Sequence, residues 1–162
     1  MSKQRDDGAY VRLAHTSELS QLSLTLTRAF ARDPAMNWYG GVKEHVPSPD
    51  STLPSAVDTM RRLRYFQEFL VKGMMLVGGI ITVVVRPIVT STENGTATET
   101  RQEKIVAVAL WYRAGQDWKM SPLQLVRAGI VKNLLFGWGL RGYHVCLSLD
   151  VIIESLTGLC SE

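Results

Sequence analysis

Apolar residues at helical spacing dominate the start of the chain. Five of them recur at positions i, i+3, i+7, i+10 and i+11, which is one face of an α-helix; they are Leu19, Leu22, Leu26, Ala29 and Phe30. Thr16 or Ser17 is placed to cap this helix at its N-terminus. We expect the helix to end near Asp33, because a residue that precedes proline is pushed out of the helical region.

Three runs of apolar residues predict strands. The first, Ala9 to Leu13, is short, whereas Leu76 to Val89 and Ile105 to Tyr112 are long. Residues 90–103 join the long runs and consist mainly of Thr, Ser, Glu and Gly, which indicates an exposed hairpin loop. The long strands are therefore expected to pair antiparallel. Because both are continuously apolar, we expect both faces of their sheet to be covered.

Two further helices complete the pattern. One is predicted from about Ser55, with an apolar stripe of Ala56, Met60, Leu63, Phe66 and Leu70. Another begins with the capping box of Ser121 to Gln124 and is expected to continue to a stop at Gly137. The chain thus divides into a disordered N-terminus at residues 1–8, an α+β unit at residues 9–142 and a divergent tail at residues 143–162.

Composition narrows the functional classes. Hydrophobic residues make up 46% of the chain, charged residues 20%, and the net charge is +3, which describes an ordinary globular domain. The basic residues are dispersed, so we expect no nucleic-acid partner. The two cysteines, Cys146 and Cys160, have no metal-ligand spacing, and we expect no metal. The polar N-terminus does not resemble a signal peptide, which favours a cytoplasmic protein.

Membrane association is the least favoured of the functional classes considered. The most apolar run, Gly73 to Val85, is shorter than the roughly 20 residues that a spanning helix needs. Its Ile, Val and Thr content instead favours a strand.

The order of elements and two segments resemble the N-terminal half of a GNAT-superfamily acetyltransferase. The segment Leu26 to Trp38 is similar to the end of the first helix in a group of GNAT proteins. Ile105 to Tyr112 is similar to a later strand of these proteins, although Arg113-Ala-Gly115 stands where they carry a Pro-Pro-Gly-like turn. The helix from Ser121 resembles an insertion in the same group, so the resemblance covers about residues 10–142.

The resemblance implies an activity and a substrate site. GNAT enzymes transfer an acetyl group from acetyl-CoA to an amine, and the loop between their first two helices helps to wall the substrate site. Carried over to this chain, Phe30, Asp33 and Trp38 would form that wall, and Trp111 would form its floor. The resemblance identifies no catalytic base.

The cofactor loop of the family is not found. GNAT proteins bind the pyrophosphate of acetyl-CoA in a Gln/Arg-x-x-Gly-x-Gly/Ala loop at a helix N-terminus. The nearest match, Gly137 to Gly142, reads as G-x-G-x-x-G, but Leu134 stands where the family has Gln or Arg. A helix rather than a strand is predicted before it, so a helix stop is the favoured interpretation. His15, His45, His144 and Cys146 form no recognisable catalytic pair.

The sequence therefore predicts a partial GNAT-like α+β fold with a short antiparallel sheet covered by helices and the C-terminal half of the fold missing. The favoured hypothesis is a truncated, inactive relative of the acetyltransferases, whose exposed sheet edge would lead to poor solubility or to dimerisation. The first alternative is an active N-acetyltransferase with an unrecognised cofactor loop, which would use acetyl-CoA and a small-molecule or peptide amine. The others are a non-catalytic partner-binding protein and a peripheral membrane protein.

Overall fold

A computed structural model describes residues 8–39, 42, 46–90, 100–115 and 119–137 of the chain. The described part does not include residues 1–7 or the tail at residues 143–162. It also does not include His45, His144, Cys146 and Cys160. The described part is an α+β fold, as the sequence predicts. Its strands are β1 (Tyr10–Leu13), β2 (Ile80–Thr90) and β3 (Thr100–Trp111). Its helices are α1 (Leu19–Phe30), α2 (Pro34–Tyr39), α3 (Pro54–Leu76), α4 (Pro122–Ala128) and α5 (Ile130–Phe136).

The three strands form one antiparallel sheet in the order β1-β2-β3. Tyr10 lies opposite Val85 between β1 and β2, and Val83 lies opposite Val108 between β2 and β3. The predicted antiparallel pairing of the two long strands is therefore confirmed. A bulge interrupts the β2–β3 ladder, because Val84 pairs with Ala107 whereas Val85 pairs with Ile105. Val106 is the extra residue of this bulge.

Helices α1 and α3 pack against one face of the sheet and enclose the core. The main core cluster joins Leu22 and Leu26 of α1 with side chains of α3 and of the sheet; the other buried members are Val71, Met74, Ile81, Val83, Val85 and Ile105. Ile81, Val83 and Val85 alternate along β2, so they share the face that the helices cover.

The other face of the sheet, which we call the outer face, corrects the expectation that both faces are covered. Val11 and Leu13 of β1 point to this face and are 67% and 64% exposed, and Trp111 of β3 is 56% exposed. Among the described residues, the helices with appreciable contacts to the sheet are α1 and α3, which occupy the opposite face. The apolar runs thus reflect an uncovered apolar surface as well as a buried one.

The boundary between α3 and β2 also differs from the prediction. Leu76 to Gly79 is not strand: α3 continues to Leu76, and β2 begins at Ile80. Gly78 adopts a φ of 75° and donates its N–H to the Met75 carbonyl, while Gly79 donates to the Met74 carbonyl. These two hydrogen bonds form a Schellman motif, for which a glycine at the left-handed position is preferred.

Two other expectations require correction. The loop predicted at residues 90–103 is shorter, since β2 ends at Thr90 and β3 begins at Thr100; residues 91–99 lie outside the described part. The helix predicted from Ser121 to Gly137 is divided into α4 and α5 by Gly129, whose φ of 97° is left-handed. The predicted stop at Gly137 is confirmed, because its N–H caps the Asn133 carbonyl at 2.8 Å after α5 ends.

Candidate functional site

The four residues that the resemblance assigns to a substrate site occupy different surroundings. Phe30 is half-buried at the end of α1, where it packs between the core of the sheet and Leu63 and Phe66 of α3. Asp33 caps α2, because its Oδ1 accepts the Met36 N–H at 2.8 Å. Both are held by local structure that would exist without any ligand.

The two tryptophans are the exposed members of the set. Trp38 lies on α2 and is 64% exposed. Trp111 lies at the end of β3, opposite Ile80, and its indole Nε1–H donates to Thr82 Oγ1 at 2.9 Å. Since Ile80 and Thr82 alternate with the buried Ile81, Trp111 belongs to the outer face, whereas Phe30 lies under the inner one. A joint wall and floor formed by these four residues stays a prediction.

A cleft of about 830 Å³ lies between α1 and the edge of β3. Apolar side chains line most of it, including Leu24, Ala29 and Phe30 of α1 and Ile105 and Val108 of β3. Its volume is within the range of pockets that hold small ligands, about 300–1,000 Å³. Phe30 is the residue of the predicted substrate site that borders it.

Two charged residues that line the cleft are engaged in ion pairs. Arg28 at the cleft donates to both carboxylate oxygens of Asp50, at 2.8 and 3.0 Å, which ties α1 to the segment before α3. Glu103 of β3 accepts hydrogen bonds from the Tyr10 hydroxyl and from Arg12. These donors lower the pKa of Glu103, which makes its carboxylate a poor general base at neutral pH.

The strongest polar arrangement in the described part is centred on Arg12. Its guanidinium contacts both oxygens of Glu18, at 2.5 and 2.9 Å, and also Glu103 Oε2 at 2.9 Å. It therefore joins β1, the turn before α1 and β3, and so reaches across the central strand. Sequence reasoning missed this cluster because Glu103 is 91 residues away from Arg12 and the three residues match no motif.

The junction between β1 and α1 is the place where the described part most nearly offers an anion site. A strand leads there through a short loop to a helix N-terminus, as in many phosphate-binding loops. Glu18 occupies this position, and its Oε2 accepts the His15 N–H at 2.7 Å. Hydrogen bonding to Arg12 and His15 lowers the pKa of Glu18 to about 2, so a carboxylate already stands where a phosphate would bind.

The N-terminus of α4 is likewise closed by its own residues. Ser121 Oγ accepts the Gln124 N–H at 3.3 Å, and Gln124 Oε1 accepts the Ser121 N–H at 2.8 Å. This reciprocal pair confirms the predicted capping box. The described helix N-termini that follow β1 and β3 are therefore both capped by side chains of the chain itself.

The remainder of the G-x-G-x-x-G stretch, residues 138–142, lies outside the described residues. Within the described ranges, no helix is both long enough and apolar enough to cross a membrane. Comparison with protein-family models, with curated proteins and with solved structures finds no significant match.

Proposed function

We propose that this chain is a non-catalytic, partner-binding protein related in fold to the GNAT acetyltransferases, and that it does not bind acetyl-CoA. The observation that supports the proposal is the occupied junction between β1 and α1. There Glu18 is held by Arg12 and by the His15 N–H, so binding a pyrophosphate would require expelling a carboxylate from both. Placing the two anions together would also be opposed by charge repulsion.

The surroundings of the cleft support the same conclusion. Glu103, its carboxylate, is stabilised in the charged form by Tyr10 and Arg12 and is therefore a weak proton acceptor. Arg28, one of the cations that line it, is paired with Asp50. The cleft retains an apolar surface suited to binding rather than to proton transfer.

Calorimetric titration of the purified 162-residue chain with acetyl-CoA tests the proposal. We expect no saturable heat at neutral pH, with a far-UV spectrum and a cooperative melt showing that the titrated protein is folded. The Glu18→Gln variant is the matched probe, since it removes the charge that blocks the junction while keeping the shape of the side chain. Saturable micromolar binding by the wild-type chain would contradict the proposal.

A second candidate function is an active N-acetyltransferase that uses a cofactor loop of a different kind. The cleft favours this candidate, since its volume suits a small amine and Phe30 lines it. The test is release of free CoA from acetyl-CoA in the presence of a panel of small-molecule and peptide amines. Amine-dependent CoA release that a Phe30→Ala variant loses, without loss of folding, would favour the enzyme over the partner-binding protein.

A further inference from the structure

The two edges of the described sheet differ in their capacity to pair with another strand. β1 is four residues long and carries Arg12, and short, charged edge strands resist association. β3 is twelve residues long and has no charged residue between Ile105 and Trp111. In the described sheet, β3 pairs on one side with β2 and forms the opposite edge. Between Ala107 and Trp111, the apolar half of β3 therefore lacks the charged residues and prolines that usually protect a sheet edge.

The direction of the backbone groups on this edge follows from one hydrogen bond. The Ala14 N–H donates to the Ile81 carbonyl at 2.9 Å, so the polar backbone groups of Ile81 point toward β1. In an antiparallel ladder these directions alternate, so Thr82 and Val84 point toward β3. Their partners Ala109 and Ala107 are accordingly bonded to β2.

Val108 lies between these two alanines, and Leu110 follows Ala109. Their N–H and C=O groups therefore point away from β2. In the described sheet, they form the hydrogen-bonding edge of the strand that faces away from β2. Side chains alternate in the same way: Val108 and Leu110 face the core, and Ala107, Ala109 and Trp111 face the outer surface.

We propose that β3 pairs antiparallel with β3 of a second copy of this chain, about a twofold axis at Ala109. In this register Val108 of each copy lies opposite Leu110 of the other, and the two pairs exchange four backbone hydrogen bonds. Ala109 faces itself in a non-hydrogen-bonded pair, in which Cα atoms approach to about 4.5 Å. Ala107 lies opposite Trp111 on the outer face.

The side chains of this strand are complementary to themselves in that register. The closest approach falls on two alanines, and each large indole faces a small methyl group rather than another indole. Cross-strand pairs of an aromatic ring with an apolar neighbour stabilise sheets. This match across the axis favours a second copy of the strand over an unrelated one.

The rest of β3 limits the contact to these residues. The bulge at Val106 interrupts the ladder on one side of the pairing segment, and Glu103 and Lys104 lie beyond it. Past Trp111, the antiparallel partner would run alongside Val106 and Ile105, which border the cleft. Because the contact is the same on both copies, it closes at two chains.

A charge exchange at Ala109 tests the proposal. We expect sedimentation velocity of the wild-type chain to show a concentration-dependent mass that approaches two chains. Ala109→Glu and Ala109→Lys should each sediment as one chain, since each places like charges across the axis. An equimolar mixture of the two variants should recover the mass of two chains. Leu13→Glu is the matched control, with the same charge on the outer face at the other edge, and should sediment as wild type.

A cysteine at Ala109 gives a second test of the proposal. This substitution introduces no charge, so it is less able to disturb the fold. In a Cys146→Ser, Cys160→Ser background, Ala109→Cys should form an intermolecular disulfide under mild oxidation, because the expected Cα separation suits that bond. Leu13→Cys should not. Two results for the wild-type chain would overturn the proposal: a monomer, or assemblies larger than two chains. So would Ala109 charge variants that sediment as wild type, a mixture of them that stays monomeric, or the absence of a cross-link at Ala109→Cys.

Discussion

Arg12 and Glu18 show how a pair of residues that match no motif can organise the start of this fold. Glu18 retains 17% side-chain exposure, accepts two hydrogen bonds from Arg12 and a third from the His15 backbone. A hydrogen bond to a charged group contributes about 1.5–3 kcal/mol to the free energy of unfolding. The contact fixes β1 against the N-terminal end of α1. Arg12 also reaches Glu103 of β3 from the same position.

This contact predicts a defined pH dependence of stability. The pKa of Glu18 is lowered from 4.5 to about 2, so its contribution is fully present above pH 4.5 and is lost as the pH falls toward 2. We expect Glu18→Gln to lower the free energy of unfolding by about 1–2 kcal/mol at pH 7. The difference from wild type should shrink in urea unfolding at pH 4 and pH 3.

The control for this prediction is Asp50→Asn. It removes the ion pair between Asp50 and Arg28. This pair is exposed, since the Arg28 side chain is 49% exposed and the Asp50 side chain 70%. Exposed ion pairs contribute about 0–1 kcal/mol, so this variant should remain close to wild type. A Glu18→Gln deficit that stays constant down to pH 3 would show that the carboxylate does not carry the effect.

At the scale of single elements, the sequence predicted what local chemistry determines. The capping box at Ser121 to Gln124 is present, as is the stop at Gly137, because both depend on neighbouring backbone groups. The ends that were misplaced depend on glycine conformation. Gly78 ends α3 and Gly129 separates α4 from α5, and an apolar run does not reveal which glycine becomes left-handed.

The N-terminus of α4 allows a quantitative test. Ser121→Ala removes the acceptor for the Gln124 N–H, and we expect a loss of about 1 kcal/mol in the free energy of unfolding. Ser121→Asp should restore most of it, because the carboxylate accepts the same N–H and favours a helix N-terminus. The measurement is the urea midpoint at constant m-value. Equal midpoints for wild type and Ser121→Ala would mean that α4 does not depend on its cap.

At the scale of the whole molecule, the apolar run from Gly73 to Val85 illustrates what composition alone leaves open. Its first part ends α3, where Met74 is buried in the core, and its second part forms β2, where Ile81, Val83 and Val85 are buried. The sequence predicted the strand but not the division, nor that the helices of the described part would cover one face of the sheet. Whether a face of the sheet is covered depends on which helices pack against it. That packing is determined by long-range contacts, which a local sequence pattern does not reveal.

The same limit applies to the candidate site. Phe30, which the resemblance assigns to a substrate wall, lines a cleft, since its position at the end of an amphipathic helix fixes its direction. Trp111, which the resemblance assigns to the floor, lies on the outer face because of strand alternation. Its direction follows from the register with β2, which is determined by long-range pairing.

Amide hydrogen exchange connects the sheet register with the state of the whole molecule. In the Ala109→Glu variant, we expect slow exchange at Ala107 and Trp111, whose N–H groups point toward β2, and fast exchange at Val108 and Leu110. In the wild-type chain at high concentration, Val108 and Leu110 should also become protected, because a second copy would accept their N–H groups. Protection at these two residues that does not depend on concentration would instead place a partner strand within one chain.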